Sequence, residues 1–505
     1  MNQAKFSKSV LVHSTWHDRI TGSGLFWPCC AVAALWLAFA GVSHAQTLTT
    51  LANFDGTASN PHASLVQGTD GNFYGTTVSG GNSLCNPPLG CGTVFRVTPN
   101  GTLAVLYAFC VQTNCADGAG PFGGLVLGTD ESFYGTTFTG GDHNCAGAIE
   151  CGGTVFKITP DGGLITLYSF CAQANCTDGE FPSSALIEGS DQDFYGTASG
   201  GGAHAAGTIF KITPQGRFTT LYSFCALASC VDGSDPIGGL FPGADGGLYG
   251  TTYDGGAYGY GTVFKLSADG ILTTLHSFDF RDGQNPTASL IQASNGKFYG
   301  STFSGGKGLN NCGSGCGSLF AVTSTGKFVT LDHLDWSNGF EPYSPMIQAT
   351  DGNLYGTTVD GLGVGTIFDT TVGSSSLTTI SAFNGGLDGI HPFAGLLQAT
   401  NGMFYGTTTG DGSTNGTFFS LDSGLGPFVT FALAIGKIGQ TAEILGQGLT
   451  GTTSVTFNGV PATTFTIVSD NYITAVVPSS ATSGKVVVAT QTGDLTSNVN
   501  FRIAK

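Results

Sequence analysis

The stretch Asp70-Gly71-Asn72-Phe73-Tyr74-Gly75-Thr76-Thr77 decides the fold of this chain when it is read with what flanks it. Ala63-Ser64-Leu65-Val66-Gln67 precedes it. A Gly-rich interval separates it from Gly92-Thr93-Val94-Phe95-Arg96-Val97, and Leu103-Ala104-Val105-Leu106-Tyr107-Ala108-Phe109 comes last. Short β-branched and aromatic segments bounded by Gly, Asp and Pro are the mark of strands joined by turns. Asp70-Gly71 and Pro99-Asn100-Gly101 suit the tight connections whose twist matches that of the strands. The unit therefore predicts four antiparallel strands, a to d.

The unit repeats. Phe/Leu-Tyr-Gly-Thr/Ser-Thr/Ala recurs with Tyr at 74, 134, 195, 249, 299, 355 and 405, a spacing of 50 to 61 residues. No segment sustains a helical period. Seven four-stranded units predict a seven-bladed β-propeller, with a stacked solenoid as the alternative. The front of the chain favours closure. Leu48-Thr49-Thr50-Leu51-Ala52-Asn53-Phe54 reads as a d strand with no a, b or c before it. The seventh unit ends after strand c, near Phe418-Phe419-Ser420-Leu421. The N-terminal strand would complete the last blade, which removes exposed sheet edges. The propeller is predicted over residues 46–424.

Composition agrees. The 505 residues suit two or three domains. Gly contributes 81 residues and charged residues only 10%, against roughly 25% in ordinary soluble chains. Aromatics at 11% set the chain apart from disordered Gly-rich tracts. A net charge of −17 without a basic stripe argues against nucleic acid as a partner. Lys5, Lys8 and Arg19, the apolar run Leu25 to Val42 broken by Pro28, and Ser43-His44-Ala45 predict a signal peptide over 1–45. Cleavage would fall between Ala45 and Gln46, with an uncleaved anchor as the alternative. No membrane span is expected after it. Cys29 and Cys30 would leave with the signal.

Alternating strand directions place the a–b and c–d turns on one face and the b–c and d–a loops on the other. The first set is short and uniform and the second long and variable, which marks the second face as functional. The twelve remaining cysteines all fall in that second set, as Cys85/Cys91, Cys110/Cys115, Cys145/Cys151, Cys171/Cys176, Cys225/Cys230 and Cys312/Cys316. In an exported chain they read as local disulfides that stiffen the loops. Zinc is disfavoured because no His partners stand at ligand spacing.

Asp-Gly steps recur in the d–a loops at Asp117, Asp178, Asp232, Asp282 and Asp388, with Asp55 in the first and Asn338 in another. A turn role is expected, with a carboxylate ring near the central channel that could hold Ca²⁺ as the runner-up. His143, Glu150, Glu180, Glu188 and Glu341 break the repeat and are the candidates for acid–base work. Nucleophile-elbow, zinc-helix and phosphate-loop motifs are missing, so no catalytic residue and no cofactor is assigned.

From about Pro427 the repeat gives way to Thr441-Ala442-Glu443-Ile444-Leu445, Val455-Thr456-Phe457-Asn458-Gly459-Val460-Pro461-Ala462, Tyr472-Ile473-Thr474-Ala475-Val476-Val477-Pro478 and Lys485-Val486-Val487-Val488-Ala489-Thr490. These predict a cysteine-free immunoglobulin-like sandwich over 427–505.

Phe-Tyr-Gly-Thr-Thr, Gly-Gly and Gly-Thr-Val-Phe-Lys-Ile-Thr-Pro resemble the GloVer-type tandem repeat of bacterial "choice-of-anchor" surface proteins, over about residues 47 to 423. Ser301-Thr302 and Asp369-Thr370 depart from it. Gly446, Phe457-Asn458-Gly459, Ala462 and Val477-Pro478 resemble an IPT/TIG domain. The resemblance implies an exported bacterial protein and brings no catalytic residues. The expectation is a monomeric secreted, periplasmic or cell-surface binding module for glycans, another surface polymer or a protein. A polysaccharide-active lyase or hydrolase, and a purely structural module, are the alternatives.

Overall fold

The computed structural model describes residues 46–82, 89–142, 152–307, 312–410 and 414–504. The signal peptide expected over 1–45, and Cys85, Cys145, Cys151, His143 and Glu150, lie outside them. The described chain is all-β, with short 3₁₀ turns as its only helical segments. Among the described residues, no helix is long and apolar enough to cross a membrane.

Seven four-stranded antiparallel sheets form the blades of a propeller. Blade 1 runs Val66–Gln67, Phe73–Thr77, Thr93–Val97 and Leu103–Ala108, and the next five repeat that order. Blade 7 takes Leu397–Gln398, Phe404–Thr408 and Thr417–Asp422 from the end of the ring and Thr47–Asn53 from its start. Thr47 pairs with Asp422 and Asn53 with Thr417. Strand a is shorter than expected, pairing only over Val66–Gln67 in blade 1. The residues before it lie against neighbouring blades instead, as where Gly395 N–H donates to Ser64 Oγ at 3.1 Å.

Each residue of the repeat has a defined contact. The Phe stacks on the Tyr of the preceding blade, with centroids 4.1 Å apart for Tyr74–Phe133 and 3.8 Å for Tyr134–Phe194. The Tyr hydroxyl donates to the Asp of its own a–b turn, Tyr74 to Asp70 at 2.9 Å and Tyr134 to Asp130 at 2.8 Å. The Gly lies under a Phe of strand c, and a Cβ on Gly75 would come within 2.7 Å of the Phe95 ring. That approach holds in all seven blades, so no larger residue fits. The first Thr bonds the next blade's backbone, Thr76 Oγ1 to Gly123 O at 2.9 Å. The second meets the Thr that opens strand c, Thr77 to Thr93 at 2.7 Å.

A side-chain clasp joins neighbouring a strands. Gln67 accepts the Thr400 N–H at 3.0 Å, Gln292 that of Ala244 at 2.9 Å, Gln348 that of Ser294 at 2.8 Å and Gln398 that of Thr350 at 3.0 Å. The Gln67–Thr400 clasp and the tilted Phe73–Tyr405 ring contact at 4.4 Å join blade 7 to blade 1. Blade 3 carries Glu188 where these carry Gln. It accepts from Thr129 N and Oγ1 at 3.1 and 2.8 Å.

The C-terminal sandwich faces one four-stranded sheet, holding Thr441–Leu445 and Tyr472–Val476, with another holding Ser454–Phe457 and Val486–Thr490. Ile444, Phe457, Ile473, Val488 and Phe501 fill its core. It packs on the a–b turns of the propeller. Asn471 Nδ2 donates to Asp70 O at 3.2 Å, Arg502 to Gly243 O at 2.7 Å and Thr400 Oγ1 to Gly446 O at 3.3 Å. Leu445 enters an apolar cluster with Leu127 and Phe133.

Candidate functional site

With the sandwich on the a–b turns, the b–c and d–a loops form the other face. In each blade the chain enters strand a through an X-Pro step whose first residue has positive φ: Asn60, Gly120, Phe181, Asp235, Asn285, Glu341 and His391. Six of these seven are not glycine, although a side chain in the left-handed region costs on the order of 1 kcal/mol. Two backbone bonds hold each one. Asn60 N–H donates to Asn415 O of the preceding blade at 3.0 Å, and Asn60 O accepts from Val78 at 3.1 Å. The Pro then packs on the Gly that opens strand c of the preceding blade, as Pro121 does on Gly92.

Residues on either side of this Pro, and those after strand b, build a belt of half-buried rings. Phe303, Tyr343, Phe393, His62, Phe122, Phe138 and Phe181 follow one another with centroids 6.2, 5.2, 4.7, 5.6, 5.3 and 5.0 Å apart. The belt crosses blades 5, 6, 7, 1, 2 and 3. Burial lowers His62 to about 4, so the ring is neutral. Blade 4 interrupts the belt with Ile237 and an acidic pair. Burial, then the neighbouring Asp254, pushes Asp235 above the usual carboxylate range. Glu341 is raised in the same way by burial and by Asp360.

Three of the Asp-Gly aspartates are engaged within their own turns. Asp117, Asp178 and Asp232 are buried and turned onto their own outer strands. Each accepts a Tyr hydroxyl, from Tyr107, Tyr168 and Tyr222, at 2.9, 2.7 and 2.8 Å. Each also takes two backbone N–H groups, as Asp178 does from Ala172 and Gln173. These are turn-stabilising groups with their acceptor capacity already used. The loops they fold carry disulfides Cys110–Cys115, Cys171–Cys176 and Cys225–Cys230, and a fourth joins Cys312–Cys316.

Of the two remaining expected pairs, only Cys91 lies within the described residues. The pair Cys85/Cys91 is not among these four described bridges, because Cys85 lies outside the described residues, as does the whole pair Cys145/Cys151. Cys91 itself is disulfide-bonded, but it is a core residue and not part of an open loop surface. It is 1% exposed and belongs to an apolar cluster with Val94, Phe109 and Cys110. The physical reason is the backbone on either side. Gly90 and Gly92 both have positive φ, and they turn the end of the b–c loop inward just before strand c. The Cys91 carbonyl then accepts the Gly120 N–H of the next d–a loop at 2.8 Å. The Cys91 carbonyl thus ties its loop to the entry of the next blade, in addition to the stiffening expected of its disulfide.

Of the acid–base candidates within the described residues, Glu180 lies beside a disulfide, its Oε2 3.7 Å from Cys171 Sγ. Cys171, Cys176 and Glu180 converge at ligand distance, but the bonded sulfurs offer no thiolate. Glu341 belongs to the positive-φ ring, and Glu188 sits on the opposite face as a clasp. The structure does not bring the three together.

A further cluster was not among those candidates. The blade 4 d–a loop, Phe278 to Gly283, is four residues shorter than the disulfide loop Phe224 to Gly233. In blade 3 the longer loop reaches the next outer strand, with Thr274 Oγ1 3.5 Å from Val231 O. In blade 4 a groove of about 420 Å³ opens there, lined by Asp279, Arg281, Asp282, Lys307, Asp332 and His333. His276 stands where blades 1 to 3 carry Tyr, pairing with Asp282 at 2.7 Å and stacking on Phe328 at 3.6 Å. Burial, then Lys307, lowers His333. Its Nδ1 accepts the Lys307 backbone N–H at 3.3 Å. The available signal was the pair of loop cations, Arg281 and Lys307, since the Tyr two residues before the end of strand d occurs only in blades 1 to 3.

A family model described as the Gloeobacter/Verrucomicrobia repeat matches residues 39–240, 87–315 and 225–419. No curated protein matches the chain by sequence. Among solved structures, a fungal alcohol oxidase of the AA5 family in complex with copper is similar at 12% identity and TM-score 0.48, covering 91% of this chain and 99% of that one. A putative 6-phosphogluconolactonase from Bacteroides fragilis NCTC 9343 is similar at 16% identity and TM-score 0.41, covering 68% and 93%. Neither likeness bears on chemistry.

Proposed function

The chain belongs to the Gloeobacter/Verrucomicrobia repeat family, and from that premise we propose an exported binding module whose loop face takes up a glycan. The aromatic belt carries this reading. Seven half-buried rings around one mouth supply flat apolar faces for the C–H faces of sugar rings, and Asn60, Asn285 and Glu341 beside them supply hydroxyl partners. Retention of six side chains at strained positions supports a role for the side chains themselves. The disulfides support a secreted, periplasmic or cell-surface setting. The C-terminal sandwich, read as an IPT/TIG-type domain, closes the opposite face and leaves the loops free to meet the ligand.

The test is a glycan array with the purified protein, followed by titration of the best neutral ligand against Phe138→Ala and Phe122→Ala. Truncation of a central aromatic anchor is expected to weaken binding by about ten-fold or more. Unchanged affinity in both variants would remove the belt from the function, and release of shortened product would replace binding with catalysis.

A further inference from the structure

The groove between blades 4 and 5 lies apart from the aromatic belt and has a different chemistry. We propose that it is a second binding site, for a polyhydroxy carboxylate such as a uronic acid residue.

Charge distribution carries the argument first. Among the described propeller residues, Arg96, Lys157, Lys211 and Lys265 lie on c strands, and Arg217, Lys297 and Lys327 in a–b or c–d turns. Lys157, Lys211 and Lys265 are held in ion pairs with Asp130, Asp191 and Asp245 at 2.5, 2.7 and 2.7 Å. Arg281 and Lys307 are the cationic side chains of the b–c and d–a loops, and both line this one groove beside Asp279, Asp282 and Asp332, of which Asp282 is engaged by His276. On a chain with a net charge of −17, an anionic group finds few other sites on this face.

Shape and hydrogen bonding carry it next. A volume of about 420 Å³ is within the range of small-ligand sites. Arg281 can meet a carboxylate through its planar fork and Lys307 as a point charge. Asp279 and Asp332, in the same lining, offer acceptors for hydroxyls next to that carboxylate. His333 is neutral-leaning and accepts at Nδ1, which leaves its Nε2–H as a donor. A phosphate or sulfate would meet the same two cations but would leave the acceptors facing more negative charge. A carboxylate flanked by hydroxyls uses both halves of the lining. Asp332 and His333 set the groove apart, standing where blade 3 has Tyr222 and Ser223, while the d–a loop of blade 5, Leu334 to Gly339, is as short as the one that opens the groove.

The experiment titrates the purified protein at low salt with trigalacturonate, free galacturonate, galactose and inorganic sulfate. Saturable binding of a galacturonate species is expected, weakened by salt and at least about ten-fold tighter than galactose or sulfate. A tighter trimer points to a polymer as the source, and equal binding to the free sugar acid. Arg281→Ala with Lys307→Ala is expected to weaken binding about ten-fold or more, and both side chains are exposed, so the fold is retained. Phe138→Ala is expected to leave it unchanged, which separates this site from the belt. No uptake of either galacturonate, equal uptake of galactose or sulfate, or unchanged affinity in the double variant would overturn the assignment.

Discussion

Replacing Glu188 by Gln tests the clasp between blades directly. Four blades use Gln at this position, and its amide does two things. The oxygen accepts the preceding blade's N–H, and the nitrogen donates, as Gln348 does to Ser294 Oγ at 3.0 Å and to Gly352 O at 2.8 Å. Glu188 accepts from Thr129 twice but has no proton to donate while ionised. Burial pushes it up to about 7 from an ordinary 4.5. Its folded state thus disfavours the charge. The protonated form's contribution to stability is complete below pH 4.5 and is lost as pH rises through 7. The difference corresponds to roughly 3 kcal/mol at most, and relaxation around the carboxylate brings the expected gain from Gln to about 1–3 kcal/mol at pH 8. With an unfolding entropy of about 2 cal/mol/K per residue over about 460 residues, Tm rises by about 1–3 °C. At pH 4 the protonated acid and the amide are nearly isosteric, and the gain falls close to zero. Thermal and urea melts of both proteins at pH 4 and pH 8 measure this. A variant that is neutral or weaker at pH 8, or equally stabilised at both values, would refute the reasoning.

Other perturbations are equally direct. Tyr168→Phe takes the phenol from buried Asp178 and should cost about 1–3 kcal/mol in a urea melt. Glu131 occupies a positive-φ position at an a–b turn beside Glu443, itself pushed up by burial to about 7. Glu131→Gly should therefore stabilise by about 1 kcal/mol, read as a rise in urea midpoint at constant slope. Deleting residues 46–53 uncovers the Thr417–Asp422 edge, and size-exclusion chromatography should find association or aggregation where the intact chain elutes as one species.

The blade plan was legible because its causes are local and repeated. Phe73, Tyr74, Gly75, Thr76 and Thr77 each make a contact that recurs in every turn of the ring or nearly so, and the repetition survives in the text of the sequence. Closure by the orphan strand at Thr47–Asn53 was legible for the same reason. Docking of the sandwich was not, because Leu445, Asn471 and Arg502 meet distant partners once each and leave no period. Glu188 looked like a break in the pattern because strand a is only two residues long, too short to show that its second position is a clasp. Burial of Cys91 was illegible because spacing marks a cysteine as a loop residue but says nothing of the inward turn its two glycines make. Asp117, Asp178 and Asp232 are turn residues as expected, but the Tyr that each of these three holds lies ten residues earlier, across a disulfide loop. The groove at Arg281 was hidden because its lining comes from two blades, and Lys307 and Asp332 meet Arg281 only once those blades are aligned in space.

Closure of the ring joins residues that are made far apart in time. Thr47 cannot meet Asp422 until the intervening 374 residues have been synthesised and laid down as blades. The entropy of closing so long a loop grows only slowly with its length, but contacts of this range slow folding. The strand made first waits for the strand made last, and until then both carry open edges. Completion of the ring is thus a check on the completeness of the chain. A product stopped short of Thr417 would keep both edges exposed and stay open to proteases, whereas a full-length chain withdraws them in one late step.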